Sequence, residues 1–185
     1  MIIEPFDPDR HDRSSFSTGV KAVDNFFQRT AKKLSQANSI RVFVMRQDGP
    51  EVMGFYALNA HSITYQDLPP TFARNRPAHG HIPAAFIAMI GVDARAQGRG
   101  YGGDLLVDAL LRILKASNSL GIAVVVLDIL DDGDPEAKAR RKALYSRYGF
   151  IALSRQPDRM ILPVATIRRL LDPAEAHSAP SGIPG

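Results

Sequence analysis

The stretch PAAFIAMIGVDARAQGRGYGGDLLVDALLRILKA, residues 83–116, decides the fold of this chain. Its apolar run from Ala84 to Val92 predicts a strand that is buried on both faces. Four glycines follow at positions 98, 100, 102 and 103, and apolar residues then recur at helical spacing from Leu105 to Leu114. A glycine-rich loop between a strand and a helix start presents backbone N–H groups and the positive end of the helix dipole to an anion. The stretch therefore predicts a phosphate or pyrophosphate site.

Several ligand classes use such a loop. A mononucleotide P-loop requires Lys-Ser or Lys-Thr after the glycines, and neither follows them here. A dinucleotide fingerprint is present as Gly98, Gly100 and Gly103, and Asp128 lies at a suitable distance to bind a ribose. Against a dinucleotide, five residues separate the strand end from the first glycine, and too little sequence follows for a second nucleotide-binding half. A nucleotide-binding or regulatory module without catalysis, and a glycine-rich turn without a ligand, stay as alternatives.

The loop also fits a third pattern, Q/R-x-x-G-x-G/A, as QGRGYG over residues 97–102. It resembles the acyl-CoA loop of the GNAT superfamily of N-acetyltransferases. The resemblance implies an α/β (α+β) fold, a mixed twisted sheet with flanking helices whose central strands, Ala84–Val92 and Ile122–Ile129, splay to admit the co-substrate acetyl-CoA. It also implies a cofactor site in which loop residues hold the pyrophosphate and strand residues contact the pantetheine. These residues are Ile90, Val92, Gln97, Gly98, Arg99, Gly100, Tyr101, Gly102 and Gly103.

A second GNAT resemblance lies in ALYSRYGF, the segment from Ala143 to Phe150, which is similar to the end of the last conserved helix of that family. The resemblance makes Tyr145 the general acid that protonates the departing thiolate, a role that suits a phenol with a pKa of about 10. Tyr148 is the alternative acid, and a core tyrosine with a satisfied hydroxyl is the alternative role for Tyr145. Many acetyltransferases carry a cofactor-contacting Asn seven residues before this tyrosine, where this chain has Lys138.

The segment FSTGVKAVDNFF, residues 16–27, predicts an amphipathic helix over the sheet, with Ser17 or Thr18 as its N-cap. The string resembles the GNAT-type toxins of bacterial toxin–antitoxin pairs. That resemblance implies acetylation of the α-amine of an aminoacyl-tRNA, which blocks translation. It also implies a cognate antitoxin of the ribbon-helix-helix type and a homodimer. An ordinary N-acetyltransferase of a small-molecule or protein amine, which is not a toxin, is the alternative.

Basic side chains cluster in several segments, and a toxin that acts on tRNA needs cations beside its cleft to bind phosphates. Following the toxin resemblance, we predict tRNA contacts from Arg29, Lys32, Lys33, Arg74, Arg76, Arg140 and Arg141. Solvated charged faces are the alternative interpretation. No general base is evident, and His79 and His81 lack the partners of a metal site, so that no metal is expected.

The composition sets the wider limits. The 185 residues are expected to form one acetyltransferase domain, residues 1–171, and a disordered tail, residues 172–185, rich in Ala, Pro, Ser and Gly. The absence of cysteine excludes disulfides and thiolate nucleophiles. The formal net charge of +4 allows a polyanionic partner without requiring one. Because there is no signal-peptide pattern and no apolar run long enough to cross a membrane, a cytoplasmic protein without membrane contact is expected.

Overall fold

One sheet organises the part of the chain that the structure describes, residues 1–64, 68 and 80–171. In this computed structural model its seven strands are β1 (Ile2–Pro5), β2 (Arg41–Arg46), β3 (Val52–Thr64), β4 (His81–Val92), β5 (Val124–Asp128), β6 (Ile151–Ala152) and β7 (Arg159–Pro163). They lie in the order β1-β2-β3-β4-β5-β7-β6, and every neighbouring pair is antiparallel except β4 and β5. This mixed sheet confirms the predicted fold class.

The two central strands separate part-way along their length. β4 and β5 pair only from Ala84 to Ile87 on β4, whereas β4 stays paired with β3 as far as Val92. The β3–β4 register shifts at this point, so that Ala88 is an extra residue on β4. A bulge bends its strand and increases the local twist. Beyond Ile87, no strand of the described chain pairs with the β5-facing edge of β4. The predicted splay of the central strands is therefore confirmed.

Helices pack on both faces of the sheet. They are α1 (Lys21–Asn25), a π-helical turn (Phe26–Thr30), α2 (Ala31–Gln36), α3 (Tyr101–Ala116), α4 (Pro135–Arg147) and α5 (Val164–Leu171). Helices α3, α4 and α5 share one core with alternate residues of β3, β4 and β5. Helices α1 and α2 pack on the opposite face, over a second core that contains Phe27 and Phe55. No helix within the described residues has the length and apolar character needed to cross a membrane.

The elements that flank the central strands follow the sequence signals closely. Helix α4 begins at Pro135 behind the N-cap Asp134, whose carboxylate accepts from the N–H groups of Glu136 and Ala137 at 2.9 and 3.0 Å. It ends before Gly149, which has a φ of +88°, a conformation that favours glycine. Residues 172–185, predicted to be a tail, lie outside the described residues.

The N-terminal helix starts differently from the prediction. Its N-cap is Val20, and no side chain caps it there. Gly19, with a φ of +83°, turns the chain before the helix. Asp24, inside the helix, accepts hydrogen bonds from the N–H and the hydroxyl of Thr18, both at 2.7 Å. The prediction of Ser17 or Thr18 as the N-cap is therefore wrong, because a carboxylate within the helix satisfies the preceding turn.

Gly54 on β3 lies where α3 packs against the sheet. A Cβ atom at this position would be 2.8 Å from Leu105 Cδ1 and 3.1 Å from the Gly91 carbonyl oxygen. We expect Gly54→Ala to lower the free energy of unfolding by about 1–3 kcal/mol, because the added methyl group overpacks the core. Urea denaturation followed by circular dichroism measures the loss. The control is Gly49→Ala, where the Cβ would meet only one backbone atom, at 4.0 Å. Equal stability of the two variants would contradict the prediction.

Candidate active site

A cavity of about 410 Å³ opens where β4 and β5 part. Its walls are residues 86–92 of β4, residues 127–131 at the end of β5, the start of α1, and one side of α4. The predicted pantetheine contacts Ile90 and Val92 both line it. We call this space the splay cavity. The splay therefore creates a slot along the open backbone edge of β4.

Two further cavities continue the splay cavity along α4. One lies between residues 18–22, the start of the glycine-rich loop and α4. The other lies between the glycines of that loop and the Arg140, Leu144, Arg147 and Tyr148 side of α4. Leu144 lines all three spaces. We call these three adjoining spaces the α4 cleft; they extend from the parted strands to the glycine-rich loop.

The glycine-rich loop is built to hold an anion at one end of the α4 cleft. Helix α3 begins after Gly100, which has a φ of +86° and offers no side-chain cap. Gly98 also has a positive φ, +77°. In the described chain, the N–H groups of residues 98–102 have no hydrogen-bond acceptor. The Gly103 N–H instead donates to the Gly100 carbonyl oxygen at 2.9 Å. Successive free N–H groups at a helix start are a binding site for phosphate oxygens.

Gln97, the first residue of the predicted acyl-CoA motif, has a bridging role. Its side-chain amide donates to the carbonyl oxygens of Thr18 and Val92, both at 3.0 Å. It therefore connects the end of β4 to the segment that precedes α1. The residue lines the first two parts of the α4 cleft, but its amide nitrogen is occupied by backbone carbonyls.

Tyr145 lies at the other end of the α4 cleft and lines the splay cavity. Its side chain is 6% exposed, and its ring meets that of Phe150 edge-on at 6.1 Å. Burial raises the pKa of Tyr145 to about 12, although the nearby Arg141 guanidinium acts in the opposite direction. The hydroxyl has no hydrogen-bond partner among the described residues, so it is a proton donor without a fixed acceptor.

Tyr148, the alternative acid, occupies a different part of the α4 cleft. It lines the space beside the glycine-rich loop and not the splay cavity. A Cβ added to Gly103 would lie 2.5 Å from the Tyr148 hydroxyl oxygen, so this glycine makes room for the phenol. The geometry therefore favours Tyr145 over Tyr148 as a donor at the parted strands.

Three basic residues of α4, Lys138, Arg140 and Arg141, are paired with acids. Arg141 donates to both carboxylate oxygens of Asp132, at 2.9 and 2.6 Å, and to the Leu130 carbonyl oxygen at 2.9 Å. This contact lowers the pKa of Asp132 to about 2. Lys138 donates to Asp131 and Asp158 at 2.9 and 2.8 Å. Lys138, which stands where other acetyltransferases have Asn, lines none of the three parts of the α4 cleft.

Three of the remaining predicted tRNA contacts, Arg29, Lys32 and Lys33, lie apart from the α4 cleft. Arg29 is on the π-helical turn, while Lys32 and Lys33 are on α2, and none of the three lines the cleft. None of them forms an ion pair within the described part of the chain. Arg140 does line the cleft, and its guanidinium lies 3.8 Å from Asp134. Two predicted contacts, Arg74 and Arg76, lie outside the described residues.

Several lining residues escaped the sequence analysis. Val20 and Val23 reach the splay cavity from α1, and Leu144 and Arg147 line the cleft from α4. The α4 residues could have been found from Arg140, because Leu144 lies four positions after it and Arg147 three positions after Leu144, and such side chains share one side of a helix. The α1 residues carry no comparable signal, because their position depends on how α1 crosses β4. A Cβ added to Gly91 would lie 2.7 Å from Val23 Cγ1, so the glycine permits this close crossing.

Comparison with known proteins identifies the family. No family model matches the chain. A probable toxin TacT from Sinorhizobium fredii is 59% identical over 171 residues, which are 92% of this chain and 94% of that protein. A tRNA-acetylating toxin from Mycobacterium tuberculosis is 31% identical over 88% of this chain and 92% of its own length. The chain belongs to the GNAT-type toxins.

Solved structures of GNAT-type toxins share the fold of this one. A tyrosine-to-phenylalanine mutant of KacT superposes with a TM-score of 0.80 at 22% identity, over 91% of this chain and 98% of that one. AtaT complexed with acetyl-methionyl-tRNAfMet also has a TM-score of 0.80, at 21% identity, over 92% of this chain and 98% of that one. The splayed sheet of this toxin is therefore the fold of its family.

Proposed function

We propose that this toxin transfers the acetyl group of acetyl-CoA to the α-amino group of an aminoacyl-tRNA and thereby blocks translation. The observation that carries the proposal is the α4 cleft, which joins an anion-binding loop to an open strand edge with a protonated tyrosine beside it. The relatives support the choice of acceptor. One is a tRNA-acetylating toxin, and the neighbour AtaT has been solved with acetyl-methionyl-tRNAfMet.

The α4 cleft fits acetyl-CoA in three places. The free N–H groups of residues 98–102 suit the pyrophosphate. The unpaired edge of β4, with Ile90 and Val92, suits the amide groups and the chain of the pantetheine arm. Neighbouring structures of AtaT contain acetyl-CoA. In this arrangement the thioester reaches the splay cavity, beside Tyr145.

Tyr145 supplies the proton that the reaction needs at sulfur. As the amine nitrogen attacks the acetyl carbon, the carbon–sulfur bond breaks and a thiolate departs. A phenol whose pKa is about 12 stays protonated at neutral pH and can donate to that sulfur. Tyr145 lines the splay cavity, so its hydroxyl can face the sulfur of the leaving group.

The acceptor tRNA is proposed to bind through the basic side chains beside the sheet. Replacing Arg29, Lys32 and Lys33 together by Gln is expected to weaken tRNA binding by about tenfold or more. The slope of log K against the logarithm of the salt concentration should fall in magnitude by about 2–3, because binding releases fewer counterions when phosphate contacts are lost. Filter binding over a salt series measures both quantities. The control replaces Lys115, Arg168 and Arg169, which lie on α3 and α5 on the opposite face. Equal losses in both triple variants would contradict a specific surface.

The proposal includes further partners. The neighbours AtaT and KacT have been solved with their antitoxins, and two such complexes contain DNA. By analogy, this toxin is proposed to have a cognate antitoxin, of the ribbon-helix-helix type, and to act in the cytoplasm as a homodimer. Copurification with the product of an adjacent gene, and light scattering, test the antitoxin and the dimer separately.

One assay tests the whole proposal. The purified toxin is incubated with acetyl-CoA and a mixture of aminoacyl-tRNAs, and the nuclease-released aminoacyl-adenosines are analysed by mass spectrometry. Addition of one acetyl group to at least one aminoacyl species is expected, together with growth arrest when the gene is induced in a bacterium. Acetyl-CoA binding without tRNA acetylation, and without growth arrest, would favour the ordinary N-acetyltransferase instead.

A further inference from the structure

Asp128 is the acidic group best placed to meet the acceptor amine. Among the described residues, the splay cavity has two acidic side chains in its walls, Asp128 and Asp131. Asp131 accepts hydrogen bonds from Lys138 of α4 at 2.9 Å and from the Gly133 N–H at 3.1 Å. Asp128 is the last residue of β5 itself, directly at the point where β5 leaves β4.

The alternation of β5 places the Asp128 side chain on the face away from α4. Val126, two residues earlier, packs in the cluster on that face, whereas Leu127 belongs to the core that contains Tyr145. Tyr145 and Asp128 therefore approach the splay cavity from opposite faces of the sheet. An acetyl group held between the strands would have a proton donor on one side and a carboxylate on the other.

Arg159 fixes the orientation of the Asp128 carboxylate. Its Nε and one terminal nitrogen donate to the two carboxylate oxygens at 2.7 and 2.8 Å, from the directly opposite position on β7. A carboxylate has about four acceptor positions, so this pairing leaves about two for another donor. The Asp128 side chain is 45% exposed, and an acceptor can reach it. The carboxylate is thus oriented but not saturated.

We propose that Asp128 binds the α-amino group of the acceptor and removes its proton during the transfer. This inference rests on the proposed function. The nitrogen lone pair forms the new bond to the acetyl carbon, and the carbon–sulfur bond breaks. One N–H proton passes to the Asp128 carboxylate, while the Tyr145 hydroxyl proton passes to sulfur. Both groups then return to their starting states by proton exchange with water.

Other charged groups around the cavity do not replace Asp128 in this role. Arg159 on β7 and Arg141 on α4 are cationic, and Tyr145 is the opposite proton donor. Asp131 is engaged by Lys138, as described above. The His61 ring on β3 lies against the Phe86 ring, tilted by 33° with the centroids 5.2 Å apart, and Phe86 rather than His61 lines the cavity.

The test compares the pH dependence of the wild type and Asp128→Asn, using an amide-linked aminoacyl-tRNA analogue that does not hydrolyse at alkaline pH. The wild-type rate should level off above about pH 8, where the α-amine is neutral. The Asp128→Asn rate should be about 100-fold lower near pH 7 and should still rise at about pH 9, because hydroxide must take the proton. Asp128→Glu, which keeps a carboxylate, should restore the plateau.

Two controls separate this role from a structural one. Acetyl-CoA affinity should be the same within about twofold in all variants, because general-base catalysis acts after cofactor binding. Asp158→Asn, which removes a surface partner of Lys138, should keep the wild-type rate and profile. A parallel pH profile for Asp128→Asn, lower by one constant factor, would overturn the inference. An inactive wild type would overturn the proposed function instead.

Discussion

Replacing Tyr145 by phenylalanine is expected to lower kcat for tRNA acetylation by about 10²–10⁴-fold, the usual contribution of a general acid. The phenylalanine ring would fill the same buried space, and the Tyr145 hydroxyl has no partner among the described residues, so folding loses little. The thiolate must then depart without a proton. Single-turnover acetylation with saturating acetyl-CoA measures the loss directly.

Tyr148→Phe is the matched comparison for Tyr145→Phe. Tyr148 lies beside Gly103 in the glycine-rich loop, so its loss is expected to change the KM for acetyl-CoA and to leave kcat nearly intact. The pH profile adds a second check. Because the pKa of Tyr145 is raised to about 12, the wild-type rate should not fall near pH 10, where an ordinary phenol would lose its proton. A kcat that survives Tyr145→Phe, or a fall near pH 10, would contradict the role of this residue as general acid.

Replacing Gly102 by aspartate is expected to weaken acetyl-CoA binding by about 100-fold or more. Gly102 is the second residue of α3, lines the splay cavity and lies among the free N–H groups of the loop. A carboxylate there would occupy the proposed pyrophosphate position and repel its charge. In a partly enclosed site this repulsion lowers the affinity for acetyl-CoA by several factors of ten. The fold should persist, since an acidic side chain is favourable in the first turn of a helix. Isothermal titration calorimetry with acetyl-CoA measures the change.

The control for this variant adds the same charge elsewhere. Gly121 is exposed, and a Cβ atom there would meet no other atom within 4 Å. Gly121→Asp should bind acetyl-CoA with wild-type affinity. If Gly102→Asp binds acetyl-CoA as well as Gly121→Asp does, the glycine-rich loop does not hold the pyrophosphate.

The sequence predicts best what is local. The strand before the glycines, the helix after them and the cap of α4 at Asp134 each depend on neighbouring residues, and the structure contains all three. Gly98 and Gly100 have the positive φ angles that only glycine adopts readily, so the loop can be recognised from the sequence alone. Tyr145 could be selected because the segment ALYSRYGF, residues 143–150, resembles the end of the last conserved GNAT helix.

What the sequence could not supply depends on contacts between distant segments. The bulge at Ala88 arises from the pairing of β4 with β3, and it decides where the splay cavity begins. The hydrogen bond from the Gln97 side-chain amide to the Thr18 carbonyl oxygen depends on the path of the segment before α1. The orientation of Asp128 depends on Arg159, thirty-one positions later, through a strand pairing that no local pattern encodes. The role of these residues therefore emerges only after the sheet is assembled.

The order of the strands also has a consequence for the cell that makes this protein. β7 inserts between β5 and β6, so β5 has only β4 beside it until residues 159–163 have been synthesised. A ribosome that has finished α4 has already produced the glycine-rich loop and Tyr145, yet one wall of the slot is still an unsupported edge strand. We expect such a nascent chain to be harmless, because the complete domain must leave the exit tunnel before the slot is fixed. We therefore expect acetylation to begin only after synthesis of the domain is complete.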